Sequence, residues 1–131
     1  MSLDVPTTMI ADAERGEIAD AEFVAVVRES LPYAWQVISS AVADLELEDT
    51  AEFGEHAVPP PDEQARGQLL RALASDSIRG ALERHLGVRL AFQNCHRVAA
   101  FRPRAVGGAT YQQFCSARAQ VLNQTPELRS C

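Results

Sequence analysis

Between Asp62 and Gly87 the apolar residues Leu69, Leu70, Leu73, Ile78, Leu82 and Leu86 recur at spacings dominated by three and four. Only an α-helix gathers such positions on one face. Asp62 stands where the first free amides of a helix need an acceptor. Gly87 stands where a helix can stop in the left-handed conformation. The pattern slips near Ser75-Asp76, which predicts a kink or a recapped start.

The same reasoning divides the rest of the chain. Residues 1–6 read as an extended arm ending at Pro6. Thr7 or Thr8 can cap a short helix, Met9 to Arg15, that Gly16 stops. A second helix starts at Asp20, its carboxylate placed to take first-turn amides, and buries Phe23, Val24, Val27 and Leu31. Pro32 fits a first-turn position, so a third helix begins there with Ser30 or Leu31 as cap. It carries Tyr33, Trp35, Val37, Ile38, Val42 and Leu45 and is apolar on more than one side, so it is central or lies at an interface.

From Glu46 to Asp62 the periodicity fails. An acidic run and three prolines, Pro59, Pro60 and Pro61, read as a surface connection. Val88, Leu90 and Phe92 alternate with Arg89 and Ala91 as a strand would, whereas Val98 and Phe101 suit a helix better. Residues 88–102 are therefore either a short β-hairpin or a helix. After Pro103 and the Gly107-Gly108 loop, Thr110 can cap a last helix through Tyr111, Phe114, Val121 and Leu122 that stops before Pro126. The expectation is a mainly α, single-domain fold over residues 1–131, with a Pro-rich surface connection at 46–62.

Charge is unevenly laid out. Residues 1–63 carry 15 Asp or Glu against two Arg, and residues 64–131 carry ten Arg against three acids, within a net charge of -6. Either the basic half presents a ligand face or the two halves neutralise each other. A net-acidic chain is a poor general nucleic-acid binder, so nucleic acid is not an expected partner. No membrane is expected either: no apolar run approaches the roughly 20 residues of a span, and the N-terminal residues do not form a basic-then-apolar signal segment. A cytoplasmic location follows. All 12 basic residues are Arg, in keeping with a GC-rich coding background, although a Lys-free chain would also offer no amine to an electrophilic substrate.

Cys95, Cys115 and Cys131 form no CxxC, and three scattered His add no ligand spacing, so no metal and no cofactor is expected. Cys115 reads as a small core residue and Cys131 as exposed. His56 reads as solvated in the acidic loop, and His85 as a last-turn cation favoured by the helix dipole. Gln93, Asn94, Cys95, His96 and Arg97 are five consecutive polar or reactive residues in an apolar frame. They are either a polar site or a buried turn whose side chains satisfy their own backbone. His96 is the candidate catalytic residue, with Gln93, Asn94, Arg97, Arg102 and Tyr33 as candidate binding residues. Cys95 and His96 are not a dyad, because sequence neighbours point apart. Arg79, Arg84, Arg89, Arg97, Arg102 and Arg104 accumulate within 26 residues. They could hold a carboxylate-bearing or peptide ligand, or pair with the acidic half.

Leu31-Pro32-Tyr33-Ala34-Trp35, Leu90 to Arg97, and Leu122 to Leu128 together resemble the lysinoalanine-forming proteins of duramycin- and cinnamycin-type lanthipeptide pathways. The resemblance implies a cofactor-free homodimer that folds a dehydrated peptide so that a substrate lysine amine adds to dehydroalanine. Orientation alone can supply roughly 7–11 kcal/mol of such a barrier. The modified peptide would be the partner. The alternative is a non-enzymatic helical, dimeric adaptor that binds a peptide or protein.

Overall fold

The computed structural model describes residues 2–123. Its elements follow the capping chemistry closely. Asp62 accepts the Ala65 amide at 2.8 Å and opens α4 (Glu63–Leu73). Ser75 accepts the Ile78 amide at 3.3 Å and opens α5 (Asp76–Leu86). The slip at Ser75-Asp76 is thus a recapped start, and each such cap is worth about 1 kcal/mol. Gly87, at φ 68°, stops α5 in the left-handed region.

Upstream lie α1 (Thr7–Glu14), α2 (Asp20–Ser30) and α3 (Pro32–Glu46). Pro32 is the first residue of α3 and Leu31 its cap. Two expected caps are not made. Pro6 precedes α1, so Thr7 and Thr8 lie inside the helix and no side chain caps it. Ala19 precedes α2, and the Asp20 carboxylate is held by Arg84 of α5 at 2.7 and 3.0 Å instead. An exposed two-point ion pair between helices 64 residues apart competes successfully with local capping.

The chain then forms β1 (Phe53–His56), β2 (Arg89–Gln93) and β3 (Arg97–Phe101), an antiparallel sheet in the order β1-β3-β2. Residues 88–102 are therefore a hairpin. Its turn places Asn94 and Cys95 at φ 51° and 61°, and the His96 amide donates to the Gln93 carbonyl at 3.3 Å. Two successive positive φ values are the signature of a turn whose twist matches the hairpin. Strand β1 corrects the expectation of a featureless 46–62 connection. It is four residues long and draws its ladder from a strand more than forty residues away, so local patterning did not reveal it.

The helix α3 packs on β1 and β3 and buries Ala34, Val37, Ile38, Ala41, Val42 and Leu45. This is the central helix that its two-sided apolarity implied. With α2, α4 and α5 it forms the main core on the sheet face carrying Leu90, Val98 and Ala100. The other face holds Ala91, Ala99 and Phe101, covered by Phe114 and flanked by Tyr111 and Phe53. The covering segment follows a single 3-10 turn, Pro103–Ala105, and comprises α6 (Ala109–Phe114) and α7 (Ala117–Leu122). Gly108 and Ser116 precede these two helices, so the expected single helix is two, and Thr110 is not a cap. Cys115, expected in the core, is exposed. Cys131, Pro126 and Leu128 lie outside the described residues. The fold is mainly α, with one hairpin-based sheet. Among the described residues no helix is long and apolar enough to cross a membrane.

Candidate binding groove at the edge of the sheet

Because β3 is central, β1 and β2 are both edges. An edge strand presents alternate backbone groups outward, where another strand could pair with them. On each edge a carboxylate from a flanking helix takes one of these donors. Asp44 of α3 accepts the Glu55 amide at 3.3 Å, and Glu83 of α5 accepts the Leu90 amide at 2.8 Å. The outward direction of the Leu90 amide fixes the alternation, so the Phe92 amide and carbonyl also point outward. Among the described residues neither has a partner outside the sheet.

Beside Phe92 runs a groove of about 650 Å3. Leu73, Arg79 and Glu83 form one wall, β2 the floor, and Tyr111, Cys115 and Gln120 the other wall. Its cations are occupied. Arg79 donates to Asp76 at 2.6 Å and to the Leu73 carbonyl at 2.8 Å, and Arg89 donates to Glu83 at 3.1 Å. Burial, followed by the neighbouring Cys115, raises the Tyr111 hydroxyl above its ordinary pKa, so it stays a neutral donor. The groove thus offers a backbone edge, hydrogen-bonding side chains and an aromatic wall, with little net charge.

The polar run of the hairpin is brought together as a self-satisfied network. Gln93 donates to the Phe114 carbonyl at 2.7 Å, and its oxygen accepts from Arg97 at 3.1 Å and Asn123 at 2.8 Å. Asn94 bonds the side chain and the carbonyl of Gln120. His96 is 7% exposed, with Nδ1 2.7 Å from the Asn94 carbonyl. Arg97 reaches Glu55 at 2.7 Å and lies 5.0 Å over the Phe114 ring. These contacts hold α6 and α7 against the hairpin.

The remaining candidates lie elsewhere. Arg102 donates to the carbonyls of Leu45, Glu48 and Ala51 at 3.0, 2.9 and 2.7 Å, closing the C-terminal end of α3. Tyr33 sits at the opposite end of that helix. Twelve residues separate it from Leu45, about 18 Å along the axis, so the two do not share a site. Burial, then the Asp62 carboxylate, raises the Tyr33 hydroxyl above its ordinary range. Of the six clustered arginines, Arg84 and Arg97 pair with acids of the first half, Arg102 and Arg104 with its carbonyls, and Arg79 and Arg89 with local acids. The halves do complement each other within one chain. His56 is on β1 rather than in a loop, with Nε2 enclosed and unpartnered among the described residues. His85 is exposed in the last turn of α5. Among those residues no group of three or more His, Cys, Asp or Glu gathers.

Glu83, Phe92, Tyr111 and Gln120 were not singled out from the sequence. The alternation at 88–92 indicated a strand. Which side of it stays open depends on β3 pairing with β1, and that pairing has no local signature.

A family model labelled KH and described as NucS shadow ORF matches residues 1–131. No curated protein and no solved structure matches the chain. The family match overturns the resemblance to lysinoalanine-forming proteins, and with it the peptide-tailoring activity and the lanthipeptide pathway. The segments that carried the resemblance have structural explanations. Leu31 to Trp35 is the α2–α3 junction, and Leu90 to Arg97 is most of the hairpin.

Proposed function

The chain belongs to the NucS shadow ORF family, and we propose that it is a binding module which takes an extended peptide segment along the β2 edge. The description of the family names a reading frame by its relation to NucS and names no activity. The observation that carries the proposal is the outward amide and carbonyl of Phe92 beside a groove of about 650 Å3. An added strand gains main-chain bonds at such an edge, and the flanking walls select its side chains. Internal pairing of Arg79 and Arg89 favours a peptide over a polyanion. The exposed thiol of Cys115 accords with a cytoplasmic setting.

One observation favours a second reading, single-stranded nucleic acid: the KH label of the family. KH modules clamp four backbone nucleotides with a G-x-x-G loop. This sequence contains no G-x-x-G, and its α4–α5 turn is Ala74-Ser75. The clamp is therefore missing, although the turn borders the same groove through Leu73 and Arg79.

Selection of a random peptide library on the immobilised chain tests the proposal. Retained peptides should shift the amide resonances of Leu90 to Gln93. They should be released by Phe92→Pro, which deletes the outward donor without removing a ladder bond, in protein shown by circular dichroism to stay folded despite the loss of a ring that packs on the core. Peptides that bind the variant equally well, or no enrichment at all, would reject it. Binding of a single-stranded oligonucleotide, weakening with log salt at about 0.7 per phosphate contacted, would establish the second reading.

A further inference from the structure

On the other side of the α6–α7 corner lies a separate cleft of about 690 Å3, within the size range of small-molecule sites. Phe53, Arg97, Phe114, Arg118, Ser116 and Asn123 supply its chemistry. Among the described residues no acid lines this cleft, while two arginines do. Arg97 is shared with Glu55 at 2.7 Å. Arg118 is exposed and has no carboxylate partner among the described residues. Among the described residues it is the cation of the cleft that no carboxylate neutralises.

The apolar part is aromatic and held in place. Phe53 stacks on Phe101 with centroids 5.2 Å apart, and Phe114 meets Phe101 edge-on at 5.8 Å. Phe101 is wholly buried, so both rings rest on a fixed base. Arg97 covers the Phe114 ring, so a flat ligand can lie against Phe53, with a charged group reaching a guanidinium, which grips carboxylate or phosphate in two-point fashion. Ser116 and Asn123 add polar groups at the rim.

We propose that this cleft binds a small planar aromatic anion, its ring against Phe53 and its charge on Arg118, with Arg97 over Phe114 alongside. The proposal does not depend on strand binding at β2. It uses different charged residues and a different ligand class.

Titration of the full chain with adenosine monophosphate and with naphthoate, each beside its neutral counterpart (adenosine, naphthamide), tests it by calorimetry and amide shifts. Both anions should bind at least about tenfold tighter than their neutral partners, with shifts at Phe53 and Arg97. Arg118→Glu, an exposed change that leaves the core intact, should remove that preference. The relative affinity of the two anions then identifies phosphate or carboxylate as the preferred charge. Equal binding of charged and neutral probes, unchanged affinity in Arg118→Glu, or no binding at millimolar concentration would overturn the proposal. The cleft uses neither outward group of Phe92, so failure of the strand proposal leaves the outcome of these titrations unaffected.

Discussion

The side-chain oxygen of Gln68 accepts the Tyr33 amide at 2.7 Å, and the Ala34 amide at 3.2 Å. Helix α3 begins with Leu31 and Pro32, neither of which has a side-chain acceptor. A residue of α4, 35 positions later, supplies the missing cap. Gln68 is 8% exposed, so its amide is part of the core and its partners cannot turn to water. Gln68→Leu should destabilise the chain by about 1–2 kcal/mol, the cost of a lost cap with two amides left inside. Urea unfolding measures this. A change below a few tenths would show that water replaces the glutamine.

Gly54 of β1 lies against the backbone of α3. A Cβ there would fall inside contact distance of the Ala41 carbonyl oxygen and the Leu45 amide nitrogen, both part of the helix itself. Neither can yield as a flexible side chain would. Gly54→Ala should cost about 3 kcal/mol or more, seen as loss of cooperative thermal unfolding or a collapse of the midpoint. Gly107→Ala, where nothing lies within 4 Å, is the matched control and should be nearly silent.

Asp20 is held below its ordinary carboxylate pKa by the hydrogen bonds from Arg84. A folded-state pKa below the unfolded one adds stability that is present above about pH 4. That stability is lost as the pH falls through the lowered value. Asp20→Asn should therefore lower stability at neutral pH, and the gap to the parent chain should close in acid below the ordinary value of 3.8. Chemical denaturation across that range reads it out. Because the pair is exposed, its effect should also shrink with added salt.

His96 tests the two readings of the polar run. Its Nδ1 is engaged with the Asn94 carbonyl inside a turn of two positive-φ residues. His96→Ala should cost about 1–3 kcal/mol through the lost bond and packing. Peptide binding at β2 and anion binding at Phe53 and Arg118 should survive in whatever fraction stays folded. Intact stability with lost binding would instead make His96 a functional residue.

Much of the helical part was legible because its signals are local. Asp62, Gly87 and Pro32 act on backbone groups within one turn, and the repeat from Leu69 to Leu86 lies within a single stretch of chain. What escaped depends on distance. Strand β1 exists because β3 pairs with it, Asp20 forgoes capping because Arg84 arrives from α5, and α3 is capped by Gln68. The site was half legible for the same reason. Residues 93–97 stood out as a polar island, but Gln120 and Asn123, which satisfy it, come from α7. The open face of β2 became visible only once its neighbours were known.

The order of the sheet has a consequence for how the chain can be made. Strand β3 is the centre, yet it is the last of the three to leave a ribosome. Until residue 101 is available, β1 has no ladder, and until Arg102 follows, the carbonyls of Leu45, Glu48 and Ala51 lack the guanidinium that closes them. The α4–α5 pair and its contacts with α3 can form early, whereas the part of α3 that packs on β3 must wait for a strand about fifty residues downstream. Sequence-distant pairing slows folding. At a synthesis rate of roughly 5–20 residues per second, the nascent chain spends several seconds with the surface of α3 that meets β3 uncovered. That interval, rather than the finished fold, is when this protein is most exposed to aggregation.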